Sequence, residues 1–439
     1  MMIKNIPSSS QFLACIGVLA SFAAAACGTG NGQNCDGKTT ELCASGGSGA
    51  TTPDSPGGFR STSTTVLKIE GNVIRDLSRP NISGPQSNDA DASSDDDGAP
   101  VILHGVNRSG TEYKCVQGNG IFDGPDSEDS VKAIASWKVN SVRVPLNESC
   151  WLNINGSPRY SSGEYYKVAI QKYVALLHKY NIYPILELHW VAPGTQLATG
   201  QMPMPDLDHA IDFWKDVTDT FKDDLGVIFE LYNEPYPNSN GDNDAAWQCW
   251  KNGCVTQIVS WVTTEAGQSQ RVVSSYQSVG FQQLVDAVRA TEGVNTTASH
   301  AILLGGVQYS NRLTQWDQYK PTDSANNLGA AWHIYNFNGC LFSNGCFDGV
   351  PATLAASTAI VATEFGEDDC QGTIVTDWMN WFDAHNMSYL AWSWDAYGAC
   401  RPNGDPSGAS PWPLISSYDG TPNPGFGQTV HDHFLAIAQ

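Results

Sequence analysis

Two glutamates stand out by the company they keep: Glu234 closes the run Phe-Glu-Leu-Tyr-Asn-Glu-Pro (229–235), and Glu364 closes Ala-Ile-Val-Ala-Thr-Glu-Phe (359–365). Both follow stretches apolar enough to be buried strands, so each carboxyl would stand at the mouth of a core and not inside it. Two carboxyls facing each other across such a mouth suit the breaking of a glycosidic acetal. One, protonated, gives its proton to the leaving oxygen, while the other, ionised, attacks the anomeric carbon. A separation of about 5 to 5.5 Å would imply retention through a covalent intermediate, and sequence does not supply that distance. Other apolar runs also end on polar or aromatic groups: Asn107, Arg143, His189, Asn233, His333, Tyr335 and Trp392. Chance would place two or three such groups there, not all of them.

Eight strand-like runs carry these residues, at 101–107, 140–145, 183–189, 226–233, 301–306, 330–336, 359–365 and 388–394. Amphipathic stretches such as Tyr165 to Tyr180 and Ile211 to Lys222 lie between them, with apolar residues three and four apart. Alternation of this kind predicts an α/β fold, a (β/α)8 TIM barrel over residues 101–439, preceded by a short β-hairpin at Thr64 to Asp76. The competing architecture is a doubly wound open sheet, which no Gly-rich phosphate loop supports. In a barrel, the loops leaving the C-terminal strand ends form the open face, where all the residues singled out would gather. Glu234 and Glu364 end the fourth and seventh strands, nearly opposite in a ring of eight. Glu187 and Glu230 share strand faces with His189 and Glu234, and read as buried partners beneath the site, paired with Arg143.

The segments HGVNRSG, NSVRVP, ILELHW, FELYNEP, WHIYNF, ATEFGE and YLAWSWD, in this order, resemble glycoside hydrolase family 5, the cellulase-type clan with its glutamates on strands four and seven. The resemblance runs from Val66 to the C-terminus. It implies Glu234 as acid/base, Glu364 as nucleophile, Asn233 on the sugar 2-hydroxyl, and Arg143 keeping Glu364 ionised. It further implies Tyr335 against the nucleophile, His189 and His333 on substrate hydroxyls or carboxylates, and Trp392 as a sugar-stacking floor. The bland readings are structural roles for Arg143 and His189 and a core position for Trp392. The implied activity is hydrolysis of internal β-1,4 linkages of a glucan, with a β-mannan or another β-glucan as the alternative substrate. A reading of another class, a non-catalytic surface glycan-binding protein, is opposed by the presence of both glutamates. Trp151, Trp190, Trp332, Trp392 and Trp394, at or just past strand ends, suggest a long cleft, although not all of them can face the substrate, since Trp392 and Trp394 share one strand face and others would only fill the rim.

Forty-five acidic against 23 basic residues leave a charge of −22, which excludes nucleic acid and anionic membrane surfaces as partners. Residues 1–26 read as a secretory signal, 27–62 as a Gly/Ser/Thr spacer and 63–439 as the catalytic part. Cleavage before Cys27 would leave a cysteine for lipid attachment, tethering a monomer outside the cytoplasm. Of 12 cysteines, ten remain for pairing after Cys15 and Cys27 are set aside. The expected bridges are Cys115–Cys150, Cys370–Cys400, Cys249–Cys254, Cys340–Cys346 and Cys35–Cys43. Without a CxxC pair or a His cluster at zinc spacing, no metal and no organic cofactor is expected. The acidic stretch in 77–98 reads as a solvated loop, with calcium as the rival, and Pro235 to His300 is a long insertion bordering the cleft.

Overall fold

The computed structural model describes residues 59–81, 98–263, 269–293, 298–402 and 412–438. Strands β1 (Leu67–Glu70), β2 (Val73–Asp76) and β3 (Ala99–Val101) form a small antiparallel sheet. The apolar runs then supply β4 (His104–Asn107), β5 (Ser141–Asn147), β6 (Tyr183–Trp190) and β7 (Ile228–Glu230). An antiparallel hairpin, β8 (Val255–Thr263) and β9 (Ser269–Gln277), intervenes before β10 (Ile302–Gly305), β11 (Leu328–Tyr335), β12 (Ile360–Gly366) and β13 (Ser388–Ala391). Strands β4 to β7 and β10 to β13 close into a parallel (β/α)8 barrel, the architecture expected from eight alternating runs. β7 and β12 are its fourth and seventh strands.

The first run divides in two. Val101 pairs with Ile74 in the small sheet, and the barrel strand begins only at His104. This sheet stoppers the N-terminal end of the barrel: Leu67, Ile69, Ile74, Val101 and Leu103 pack on Ile185, Ile228, Leu303, Val361 and Leu390 from its interior. Each such side chain contributes roughly 1.5 to 3 kcal/mol on burial. With that end plugged, only the C-terminal mouth stays open.

Helices coat the outside for the reason their periodicity suggests. In Glu164–Lys179 the buried Tyr166, Ile170, Tyr173, Val174 and Leu177 recur at three- and four-residue spacing and face the barrel. Helix Ala210–Phe221 follows the same rule through Phe213, Trp214, Val217 and Phe221. The insertion after Pro235 folds into helices Pro237–Asn240, Asp244–Asn252 and Phe281–Glu292 around the β8–β9 hairpin. Strand β9 is exposed along most of its length, so it lacks the in-out alternation by which a strand is recognised.

Among the described residues four disulfides form, Cys115–Cys150, Cys249–Cys254, Cys340–Cys346 and Cys370–Cys400, and they are pairs expected from the sequence. The first joins the loop after β4 to the helix after β5, and the last joins the loops after β12 and β13. The signal over 1–26, most of the spacer, Cys35–Cys43 and the acidic run 82–97 lie outside the described residues. Among the described residues no helix is long and apolar enough to cross a membrane.

Candidate active site

Arg143, fully buried on β5, organises the barrel mouth. Its Nε donates to Glu230 Oε2 at 2.7 Å, and Nη1 donates to Asn107 Oδ1 at 2.9 Å and to Glu364 Oε1 at 2.6 Å. Nη2 donates to Asn233 Oδ1 at 2.8 Å and lies 3.4 Å from Glu187 Oε2. One planar guanidinium therefore fixes side chains from β4, β6, β12 and the β7 segment. Three carboxylates around one buried cation also meet the requirement that interior charges be paired.

Glu364 is 4% exposed. Burial alone would raise its pKa, but the charges of His333, Arg143 and His189 and a hydrogen bond from Tyr335 outweigh burial and hold it below the usual carboxylate value. Tyr335 Oη donates to Oε2 at 2.6 Å; burial first and Glu364 second push the phenol well above its ordinary pKa, so it stays a donor. Glu234 is the more accessible acid, its side chain 17% exposed. It meets His333 Nδ1 at 2.9 Å through Oε1 and accepts from Gln201 Nε2 at 2.9 Å through Oε2.

His333 sits between the two acids, with a carboxylate oxygen of each and its own ring nitrogen all within 4.8 Å of one another. Burial would lower its pKa, yet Glu364, Glu230 and Glu234 override that and carry it to about 10. The cation between the carboxylates is thus the imidazolium itself. Its stabilising contribution is complete below the unfolded value near 6.5 and is lost as pH rises towards 10. The melting temperature should accordingly fall by several degrees from pH 7 to pH 10. His333→Asn, less stable at pH 7, should show a flatter profile; parallel wild-type and variant curves would contradict this account.

His189 Nδ1 lies 2.9 Å from Glu187 Oε2, and its ring stacks on Trp392 with centroids 5.6 Å apart and planes 13° from parallel. Trp392 is half-buried, with its neighbour Ser393 inside. Asn107, Arg143, His189, Asn233, Glu234, His333, Tyr335, Glu364 and Trp392 thus share one mouth.

Three of the five strand-end tryptophans turn away from the mouth and into the core, not to its rim. Trp151, Trp332 and Trp394 are buried in the core. Trp332 alternates with the inward His333 and so points outward, onto Phe347 and the helix layer. Trp394 packs edge-on against Trp137, and Trp151 against Phe213. Of the five, Trp190 and Trp392 keep partial exposure. Other aromatics take the rim: Phe337, 50% exposed, stacks on Tyr335 at 5.3 Å beside Trp412, and Tyr236 stacks on Tyr309 at 4.6 Å. Phe337 and Tyr236 lie two residues past Tyr335 and Glu234, a position that could have drawn attention to them. Gln201 gave no such signal, because it belongs to an irregular loop. Gly305 has a spatial reason to lack a side chain: a Cβ there would sit 2.2 Å from Ser310 Oγ, which donates to the Asn233 carbonyl.

The structure thus has a closed parallel barrel with two acids brought together at its C-terminal mouth. The chain belongs to glycosyl hydrolase family 5 (cellulase), whose model matches residues 94–398. An endoglucanase of Bacillus sp. (strain KSM-635) is 24% identical over 321 residues, 68% of this chain and 29% of that protein. The chain thus spans under a third of that relative's length. A mannan endo-1,4-beta-mannosidase of Salipaludibacillus agaradhaerens is 22% identical over 307 residues, 68% of this chain and 78% of the relative. Among solved structures, a hyperthermophilic endocellulase of the archaeon Pyrococcus horikoshii shares the fold at TM-score 0.55 and 16% identity, covering 87% of this chain and all of that one.

Proposed function

We propose that the protein is a retaining endo-β-1,4-glucanase working by double displacement, with Glu364 as nucleophile and Glu234 as acid/base. The observation that carries the reading is the approach of the two carboxyls to within 4.8 Å at their oxygens, a spacing that suits direct attack by one acid and falls short of the roughly 6.5 to 9.5 Å by which inverting enzymes hold their acids apart. Glu364, held ionised by its cationic neighbours, attacks the anomeric carbon. Glu234, nearer solvent, protonates the leaving oxygen and later deprotonates the water that frees the sugar. Arg143 donates to Asn233 Oδ1, which leaves the Nδ2 of that amide as the donor for a 2-hydroxyl. Trp392, backed by His189, offers a flat face for the sugar in the cleavage subsite.

Aromatic groups on several sides of the acids suit a groove holding several sugars, each stacked ring contributing roughly 0.5 to 1.5 kcal/mol. On soluble cellulose derivatives, viscosity should drop well before much reducing sugar appears, and cellopentaose should be cut faster than cellobiose. Release of short sugars from chain ends with viscosity unchanged would refute the endo reading. Mannan is the second substrate to test, because one relative is named a mannosidase. A panel of glucans and mannans scored by initial rate decides between them. Four disulfides fit an oxidising compartment, and within this proposal a monomer reaches it through the signal in 1–26 and stays tethered by lipid on Cys27.

A further inference from the structure

A second group of ionisable side chains lies apart from the two catalytic candidates. Glu148 opens the short helix after β5; Asp206 and His209 lie in the segment between β6 and helix Ala210–Phe221. One ligand atom from each of the three lies within 4.8 Å of the others. Glu148 and Asp206 are fully buried, and His209 keeps a side chain 22% exposed.

Each carboxylate is half satisfied. Glu148 Oε2 accepts from Ala192 N at 2.6 Å and Asp206 Oδ1 from His209 N at 2.8 Å. With both acids ionised, Glu148 Oε1, Asp206 Oδ2 and His209 Nδ1 have no hydrogen-bond partner among the described residues, although Nδ1 stands 3.4 Å from Asp206 Oδ1 and a proton on Glu148 would bridge it to Asp206. Two buried carboxylates brought together need a cation or a shared proton between them. The imidazole nitrogen of His209 adds a third ligand atom to the two carboxylate oxygens, and two oxygens with one nitrogen suit a divalent transition metal.

We propose that Glu148, Asp206 and His209 form a structural site for a divalent transition metal of the zinc type. Ligands on one tetrahedral zinc sit about 3.4 Å apart, so small side-chain rotations close the set, and the partly exposed His209 side leaves room for a water as fourth ligand. The ion would pin the loop over 191–209 to the helix after β5. That loop carries Gln201, whose Nε2 donates to Glu234, so the metal would steady one wall of the cleft without touching either acid. At Asp206 the same loop also bridges to Ser278, tying in the end of the β8–β9 insertion. The site is independent of which sugar the enzyme cleaves.

The test uses the mature chain, stripped by chelator and dialysed, with Zn²⁺ as the probe. Wild type should take up one zinc by calorimetry and metal analysis, and its melting temperature should rise by roughly 4 °C at a hundredfold excess over Kd. Glu364→Gln should bind zinc as wild type does, which separates this site from the catalytic acids. His209→Gln, at a partly exposed position that folding tolerates, should lose both the uptake and the shift, as should Asp206→Asn. No uptake by wild type, unchanged uptake by His209→Gln, or stabilisation by Ca²⁺ without Zn²⁺ would each overturn the proposal. So would a melting temperature that rises on acidification and ignores zinc, the mark of a shared proton.

Discussion

Glu364→Ala should lower turnover of the polysaccharide on the order of 10⁵-fold, the scale of advantage a positioned nucleophile holds over one from solution. Added azide should restore cleavage, and the product should carry inverted configuration. The reasoning is geometric. Truncation opens a space beneath the anomeric carbon still flanked by Arg143, Tyr335 and His333, which all contact Glu364 in the intact site. A small anion drawn there attacks once from the face opposite the leaving group, and no second displacement follows. Arg143 keeps Glu230 and Glu187 as counter-charges, so the variant should fold. Product configuration by NMR gives the answer, and a rescued product of retained configuration would reverse the roles assigned to the two acids.

Much of this arrangement was legible in the chain because parallel barrel strands are buried on both faces and so read as continuous apolar runs. Against that background Arg143 and the strand-end acids are conspicuous, and alternation placed Glu187 and Glu230 inside, where they now hold Arg143. What stayed hidden lacks such contrast. The pairing of Val101 with Ile74 depends on residues separated by the acidic insertion, and no local pattern records it. Gln201 reaches Glu234 from an irregular loop, and loops have no period. Which tryptophans would face the mouth was hidden for a different reason: a strand end has two faces, and Trp332 takes the outer one because His333 takes the inner. Glu148, Asp206 and His209 are scattered over about 60 residues of sequence and meet only because neighbouring loops fold together.

Glu234→Ala should divide its effect by leaving group, and this split distinguishes an acid/base from a residue that merely shapes the cleft. On polysaccharide the departing oxygen is a poor leaving group that needs a proton, so loss of the acid should lower turnover by about 10²- to 10⁴-fold. An aryl glycoside with a strongly acidic phenol leaves unaided, and its first step should fall by less than about tenfold. The second step should then limit, since the proposed role of Glu234 includes activating water, and a burst of phenol should precede slow turnover. Azide should speed that step without a base, and its product should keep the original configuration, because two displacements have occurred. His333 and Gln201 lose their partner in this variant but keep others nearby: His333 Nε2 stays 3.1 Å from Thr363 Oγ1, and Gln201 retains the backbone carbonyl of residue 234 at 3.1 Å. The site should therefore persist, and equal losses on both substrates, with no burst and no azide effect, would mean that Glu234 supports the cleft and does not move the proton.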